Sequence, residues 1–179
     1  HEDTDWRPYL EEITEVYLQM ADAITRYEAL LITARDTEMV SSLLKERLTE
    51  EQMKRVTLFT CDNNDTWARD VAPISLIANK ASKDSSQPLR LLDFCFNGWG
   101  EKFAAEKDNR INRQLHEAGL LQGVLESHKD FVLEGGSIES DGSHTLFTTT
   151  SCLMAPHRNQ PLTQEDIDKQ LRLFFPNVE

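Results

Sequence analysis

The sequence has 179 residues, 39% of them hydrophobic, with a formal net charge of −12. That length suits one ordinary domain or part of a larger one, and it is enough to bury a core. The acidic balance disfavours nucleic acid, which selects basic surfaces, and no apolar run approaches a membrane span, so neither partner is expected.

Pro8 precedes apolar residues at Leu10, Ile13, Tyr17, Met20 or Ala21, Ile24 and Tyr27, with acids on the other face. That spacing predicts an amphipathic helix of about five turns. Ala29 to Ala34 reads as a short buried strand, Thr37 to Leu48 as a second helix and Val56 to Thr60 as a second strand. Strand, helix, strand in this order predicts a parallel pair with a crossover. Ile74 to Ala78 and Leu89 to Phe96 are further strands, joined by the polar connection Asn79 to Pro88. Asp108 to Gly119 is a predicted helix with Ile111, Leu115 and Ala118 on one face and Gly119 as its stop. Phe131 to Leu133 is a strand, and Ile138 to Phe147 a hairpin turned at Asp141-Gly142. Thr163 caps a final helix with Ile167, Leu171 and Phe174 inward, ended by Pro176.

Cys61, Cys95 and Cys152 are widely spaced and odd in number, without CxxC or His-ligand spacing. They read as reduced thiols in a cytoplasmic protein, small buried apolar groups rather than nucleophiles or zinc ligands. No secretory signal pattern opens the chain. His1-Glu2-Asp3 begins without a Met, which reads as an upstream segment cut or left out.

The densest polar and aromatic cluster is Asn63-Asn64-Asp65-Thr66-Trp67-Ala68-Arg69-Asp70, set between the apolar runs Val56 to Phe59 and Val71 to Ala78. It reads either as a strand connection, with Asp65 and Thr66 in a side-chain turn and Arg69 pairing Asp70 at the surface, or as a binding loop. A second acidic landmark follows in Phe131-Val132-Leu133-Glu134-Gly135-Gly136-Ser137. There a Glu ends an apolar strand, and two glycines let a backbone or a ligand approach closely.

Together these stretches, with Phe96-Asn97-Gly98-Trp99-Gly100 and Asn159 through Thr163-Gln164-Glu165, resemble the agmatine deiminases and bacterial-type peptidylarginine deiminases of the pentein superfamily. The motifs fall along nearly the whole chain in the family's order. The resemblance covers the family's N-terminal half. It implies an α/β fold of ββαβ modules around a pseudo-fivefold axis, incomplete here, with residues 1–179 forming about half of one propeller domain.

A guanidinium is planar and permanently charged, and its fork of donors matches a carboxylate at two points. The resemblance implies that Asp70 binds the substrate guanidinium and that Trp67 walls the pocket against its methylenes or its charge. It implies that Glu134 holds a catalytic His, biased toward its charged form. Asn64 and Asp65 structure the loop and hold Arg69, an ion-paired lock rather than a catalytic group. Other readings stay open: Trp67 as a core residue, Glu134 paired with a surface cation, and Trp99 either at the pocket mouth or packed under a loop.

The family's chemistry uses a Cys nucleophile and a His, without metal or cofactor. Both residues, and a second guanidinium-binding Asp, are expected beyond Glu179, in a missing C-terminal half. His1-Glu2-Asp3 and His128-Lys129-Asp130 are set aside as decoys for the catalytic His, with His128 read as a loop or strand-edge residue. Asp93 to Trp99 carries no arginine, and Lys102 is the nearest cation. An aromatic mouth without a clamp for a carboxylate suits agmatine, a small cationic guanidine ending in an amine, over arginine. A non-catalytic guanidine- or polyamine-binding module and a structural half are the alternatives. A half-propeller leaves strand edges uncovered, so a homo-oligomer is also expected.

Overall fold

The structure is a computed structural model and describes residues 5–77 and 89–176. The expected polar connection at 79–88 and the opening His1-Glu2-Asp3 lie outside the described residues. The chain divides into two compact units, His1–Asp65 and Thr66–Glu179.

In the first unit, a turn of 3-10 helix at Arg7–Tyr9 leads into helix α1, Leu10–Thr25. Strand β1 (Leu30–Ala34) and helix α2 (Thr37–Arg47) follow. A short helix α3 (Glu50–Met53), which the apolar pattern alone does not mark, comes before strand β2 (Val56–Thr60). The helix starts are chemically set. The Asp36 carboxylate accepts from the Met39 backbone N–H at 2.9 Å, and Thr49 and Gln52 form a reciprocal capping box at α3. β1 and β2 pair in parallel, from Leu30 opposite Val56 to Ala34 opposite Thr60. That is the expected crossover arrangement. Ala21, Leu44 and Leu48 are the buried centre, with Leu30, Ile32, Val56 and Leu58 packed on them.

The second unit opens with a helical turn, α4 (Ala68–Val71), where a loop was expected, followed by strand β3 (Ile74–Leu76). β3 runs antiparallel to β4 (Arg90–Cys95). A kinked turn α5 (Gly98–Glu101) and helix α6 (Asp108–Glu117) then lead to β5 (Val124–Val132), parallel to β4. One three-stranded sheet of order β3-β4-β5 is thus built as strand, antiparallel strand, helix, parallel strand. β5 is far longer than the Phe131–Leu133 strand expected, because the polar run Glu126 to Asp130, which shows no apolar period, is carried by its pairing with β4.

The pairing register breaks at the end of this sheet. Phe94 lies opposite His128, but Cys95 lies opposite Val132. The residues skipped on β5 bend the strand. They bring Lys129 inward, where its ammonium donates to Asp93 Oδ1 and to the Phe94 carbonyl, both at 2.7 Å. Of the loop and strand-edge places expected for His128, it takes the strand, β5 being an end strand of this sheet. It sits within β5, stacked on Phe94 with ring centres 5.4 Å apart.

β6 (Ile138–Ser140) and β7 (Leu146–Thr148) form the expected hairpin. The Asp141 carboxylate accepts from the backbone N–H groups of Ser143, His144 and Thr145 at its turn. A short helix α7 (Thr150–Leu153) precedes α8 (Gln164–Phe174), capped by Thr163 with Asp166. The core joins Leu92, Phe94, Phe131, Leu133, Ile138, Ile167 and Leu171, with Phe174 against it. α6 departs from its expected apolar face: Ala118 is exposed, and the buried positions are Asp108, Asn112 and Leu115. Asn112 is buried because its amide donates to Asp93 Oδ1 at 2.7 Å and to the Val71 carbonyl at 2.8 Å. Cys61 is buried, Cys95 half-buried in β4, and Cys152 half-buried on α7.

Candidate active site

The turn α4 and the turn after β5 meet through two glycines. A Cβ on Gly135 would lie 2.2 Å from the Arg69 carbonyl oxygen, and one on Gly136 would lie 2.2 Å from Asp70 Oδ1. The first contact is with backbone, so Gly135 is required by close approach rather than by backbone conformation, whereas a Cβ at Gly136 would push the Asp70 carboxylate aside. With the space open, the Gly136 N–H donates to Asp70 Oδ1 at 2.9 Å. Arg69 Nε donates to the Gly135 carbonyl at 3.2 Å, and Arg69 reaches Glu139 at 3.7 Å.

Asp70 is held from a second side. The Trp99 indole N–H donates to Asp70 Oδ2 at 3.2 Å. Trp99 is presented by backbone in the left-handed region, φ 58° and ψ 42°, between Gly98 and Gly100, which also have positive φ. For a bulky residue that conformation costs roughly 1–2 kcal/mol. Such strain collects at functional sites. It is held by the Asn97 side chain, which accepts from the Gly100 N–H at 2.9 Å, and by rings packed edge-on. Phe96 lies 4.9 Å and Phe103 5.8 Å from Trp99, centre to centre. Trp67 stands edge-on to Trp99 at 6.4 Å and is 48% exposed, so it lies at the surface and is not a core residue.

An ionised carboxylate offers about four lone-pair positions. Gly136 and Trp99 occupy one on each oxygen of Asp70, which leaves acceptor capacity for a forked cation beside two indoles. In the first unit, Asp65 Oδ1 accepts from the Trp6 indole at 3.1 Å, and Asn64 is half-buried close by in sequence.

Glu134 is buried, 4% exposed. Its Oε1 lies 2.7 Å from Arg158 Nη2, in an ion pair whose angle falls outside hydrogen-bond geometry. Burial pushes the Glu134 carboxyl up from its ordinary value; Arg158 works against that shift and the charge of Asp70 adds to it. The Glu134–Arg158 pair thus places a buried cation at the Glu-Gly-Gly stretch. Arg158 precedes Asn159 by one residue, and only its packing sets it apart from other arginines of the sequence. An open cavity of about 590 Å³ is lined by Glu101, Met154, Pro156, His157, Arg158 and Gln160. Asp70 and Glu134 do not line it; Arg158 links the two places. Among the described residues no group of three or more His, Cys, Asp or Glu is placed to hold a metal ion.

The family model described as Porphyromonas-type peptidyl-arginine deiminase matches residues 1–177. The chain belongs to that family. Curated relatives of this deiminase family include proteins named "Putative agmatine deiminase" from Mycoplasma capricolum and Streptococcus mutans. Each is 33% identical, over 95% and 98% of this chain and 44% and 46% of the relative. The chain therefore spans about half the length of the curated relatives it matches. Solved structures of similar proteins include an agmatine deiminase of C. jejuni with substrate bound, at TM-score 0.83 and 34% identity over 98% of this chain and 48% of that one. A "Putative Arginine Deiminase" from Porphyromonas gingivalis matches at TM-score 0.82 and 43% identity over 97% of this chain and 49% of that one. No helix among the described residues of this family member is long and apolar enough to cross a membrane.

Proposed function

We propose that this chain is the carboxylate-bearing half of an agmatine deiminase, which converts agmatine and water to N-carbamoylputrescine and ammonia. The observation that carries the reading is Asp70, a carboxylate pinned by the Gly136 amide and the Trp99 indole with lone pairs to spare, Trp99 in turn standing edge-on to Trp67. A guanidinium gripped edge-on there keeps its central carbon open to attack from above.

In this reading a Cys thiolate attacks that carbon and ammonia leaves with a proton from a His. Water then hydrolyses the amidino-thioether and returns the thiolate. Glu134 positions the His and favours its charged form. The Cys and the His belong to a segment matching the relatives' other half, so these 179 residues alone are expected to be inactive. The β3-β4-α6-β5 unit supports ββαβ modules arranged as a propeller. Uncovered sheet edges favour association into a homo-oligomer, and a monodisperse stable monomer of this length would count against both ideas. A cytoplasmic role in putrescine formation goes with the substrate.

The 43% identity to the Porphyromonas gingivalis protein favours a second reading, an arginine or peptidyl-arginine substrate. Ammonia release by the complete protein, with agmatine and arginine side by side, separates them. Agmatine is expected to be preferred; equal rates sink the selectivity argument, and no release from either sinks the deiminase reading.

A further inference from the structure

Glu134 needs a reason to stay charged. It is buried two residues past the end of β5, and the charge of Asp70 on α4 adds to the cost of ionising it. Cys95 of β4 is near enough to feel Glu134; burial raises that thiol above its ordinary value, with Asp93 and Glu134 adding to the shift and Lys129 opposing it. Among these groups Arg158 is the one held against the Glu134 carboxylate, at 2.7 Å.

The surroundings of Arg158 are shaped for this contact. Its side chain is 10% exposed. A Cβ on Gly100 would lie 2.5 Å from Arg158 Nη1, so the glycine of the Trp99 turn leaves the guanidinium its path. The neighbouring Asn159 clamps the end of β5: its Oδ1 accepts from the Val132 N–H at 2.8 Å and its Nδ2 donates to the Val132 carbonyl at 2.9 Å. Two consecutive residues therefore hold the strand end and the carboxylate that follows it. Arg158 Nε and Nη1 are buried without a hydrogen-bond acceptor among the described residues. The guanidinium's close ionic contact thus goes to Glu134.

We propose that Arg158 is a positioning residue of the deiminase site: it holds Glu134 ionised and fixed, so that Glu134 in turn orients the acid–base group of the reaction. The proposal rests on the function proposed above. Its physical content is that a buried carboxylate stripped of its counter-charge takes up a proton.

The test uses the complete protein with Arg158→Met and Arg158→Lys. Two quantities are followed against pH: kcat/KM for agmatine, and the infrared carboxyl band that Glu134→Gln deletes. Arg158→Met is expected to move the Glu134 titration and the acid limb of kcat/KM upward together by about one pH unit or more. That is at least a tenfold loss on the limb. Arg158→Lys, which keeps the charge without the fork, should bring both back toward the parent. A folded Arg158→Met protein with neither titration moved overturns the proposal and leaves Arg158 a packing residue. If Arg158→Met does not fold, Arg158→Gln carries the same two outcomes. Should the parent turn over no guanidine, the deiminase reading fails alone, because the infrared titration still decides whether Arg158 sets Glu134.

Discussion

The β1–β2 unit and the α4–Glu134 region solve different physical problems. The first is held by hydrocarbon: Ala21, Leu44 and Leu48 under a parallel strand pair, with its ion pairs, such as Arg47–Glu15, on the exposed surface. The second is held by polar groups at short range. Two glycines admit a neighbouring turn, an indole and an amide share one carboxylate, and a buried acid meets a buried guanidinium. Burying an ion pair brings little net stability for its desolvation. Under the function proposed here, the pair serves the site rather than the stability of the fold.

Substitutions can break this contrast. Leu44→Ala removes the most buried side chain of the first core and is expected to cost about 2–5 kcal/mol, read by denaturant unfolding. In the complete protein it should leave the KM for agmatine unmoved at a temperature where the variant is folded. Gly136→Ala should do the reverse. Its methyl displaces Asp70, and a shift of about 1 Å in a positioning group costs on the order of 100-fold, measured as kcat/KM. A Gly136→Ala protein with full activity would detach Asp70 from the site.

Trp99→Phe sharpens the comparison. It keeps an aromatic ring against Phe96 and Phe103 and deletes the indole N–H donated to Asp70 Oδ2. Loss of a hydrogen bond to a charged group is worth about 1.5 kcal/mol, roughly a tenfold fall in kcat/KM. The smallest effect is on pH. Glu134 has its carboxyl raised by burial above the ordinary 4.5, so the folded state binds its proton more tightly than the unfolded chain. Its contribution to stability is complete below pH 4.5 and is lost as pH rises through the raised folded value. Glu134→Gln, stripped of that ionisation, should flatten the fall in stability across this window, as followed by thermal midpoints from pH 4 upward.

The elements set by local pattern were legible in the sequence. α1, α2, β1, β2 and α8 follow from apolar spacing and, for α8, from the cap at Thr163, because hydrophobic period and capping chemistry act within a few residues. The Trp67–Asp70 and Glu134–Gly136 stretches stood out by composition, and family membership followed from their order along the chain. Tertiary structure alone decided three things. Asp70 takes its donors from Gly136 and Trp99, distant in sequence. α6 buries Asn112 because Asp93 and Val71 need its amide, and Arg158 turns inward to meet Glu134. Each depends on donors, acceptors and charges meeting across long separations in the chain. Polar pairing of that kind leaves no period in a sequence, whereas burial of hydrocarbon on one face of a helix does.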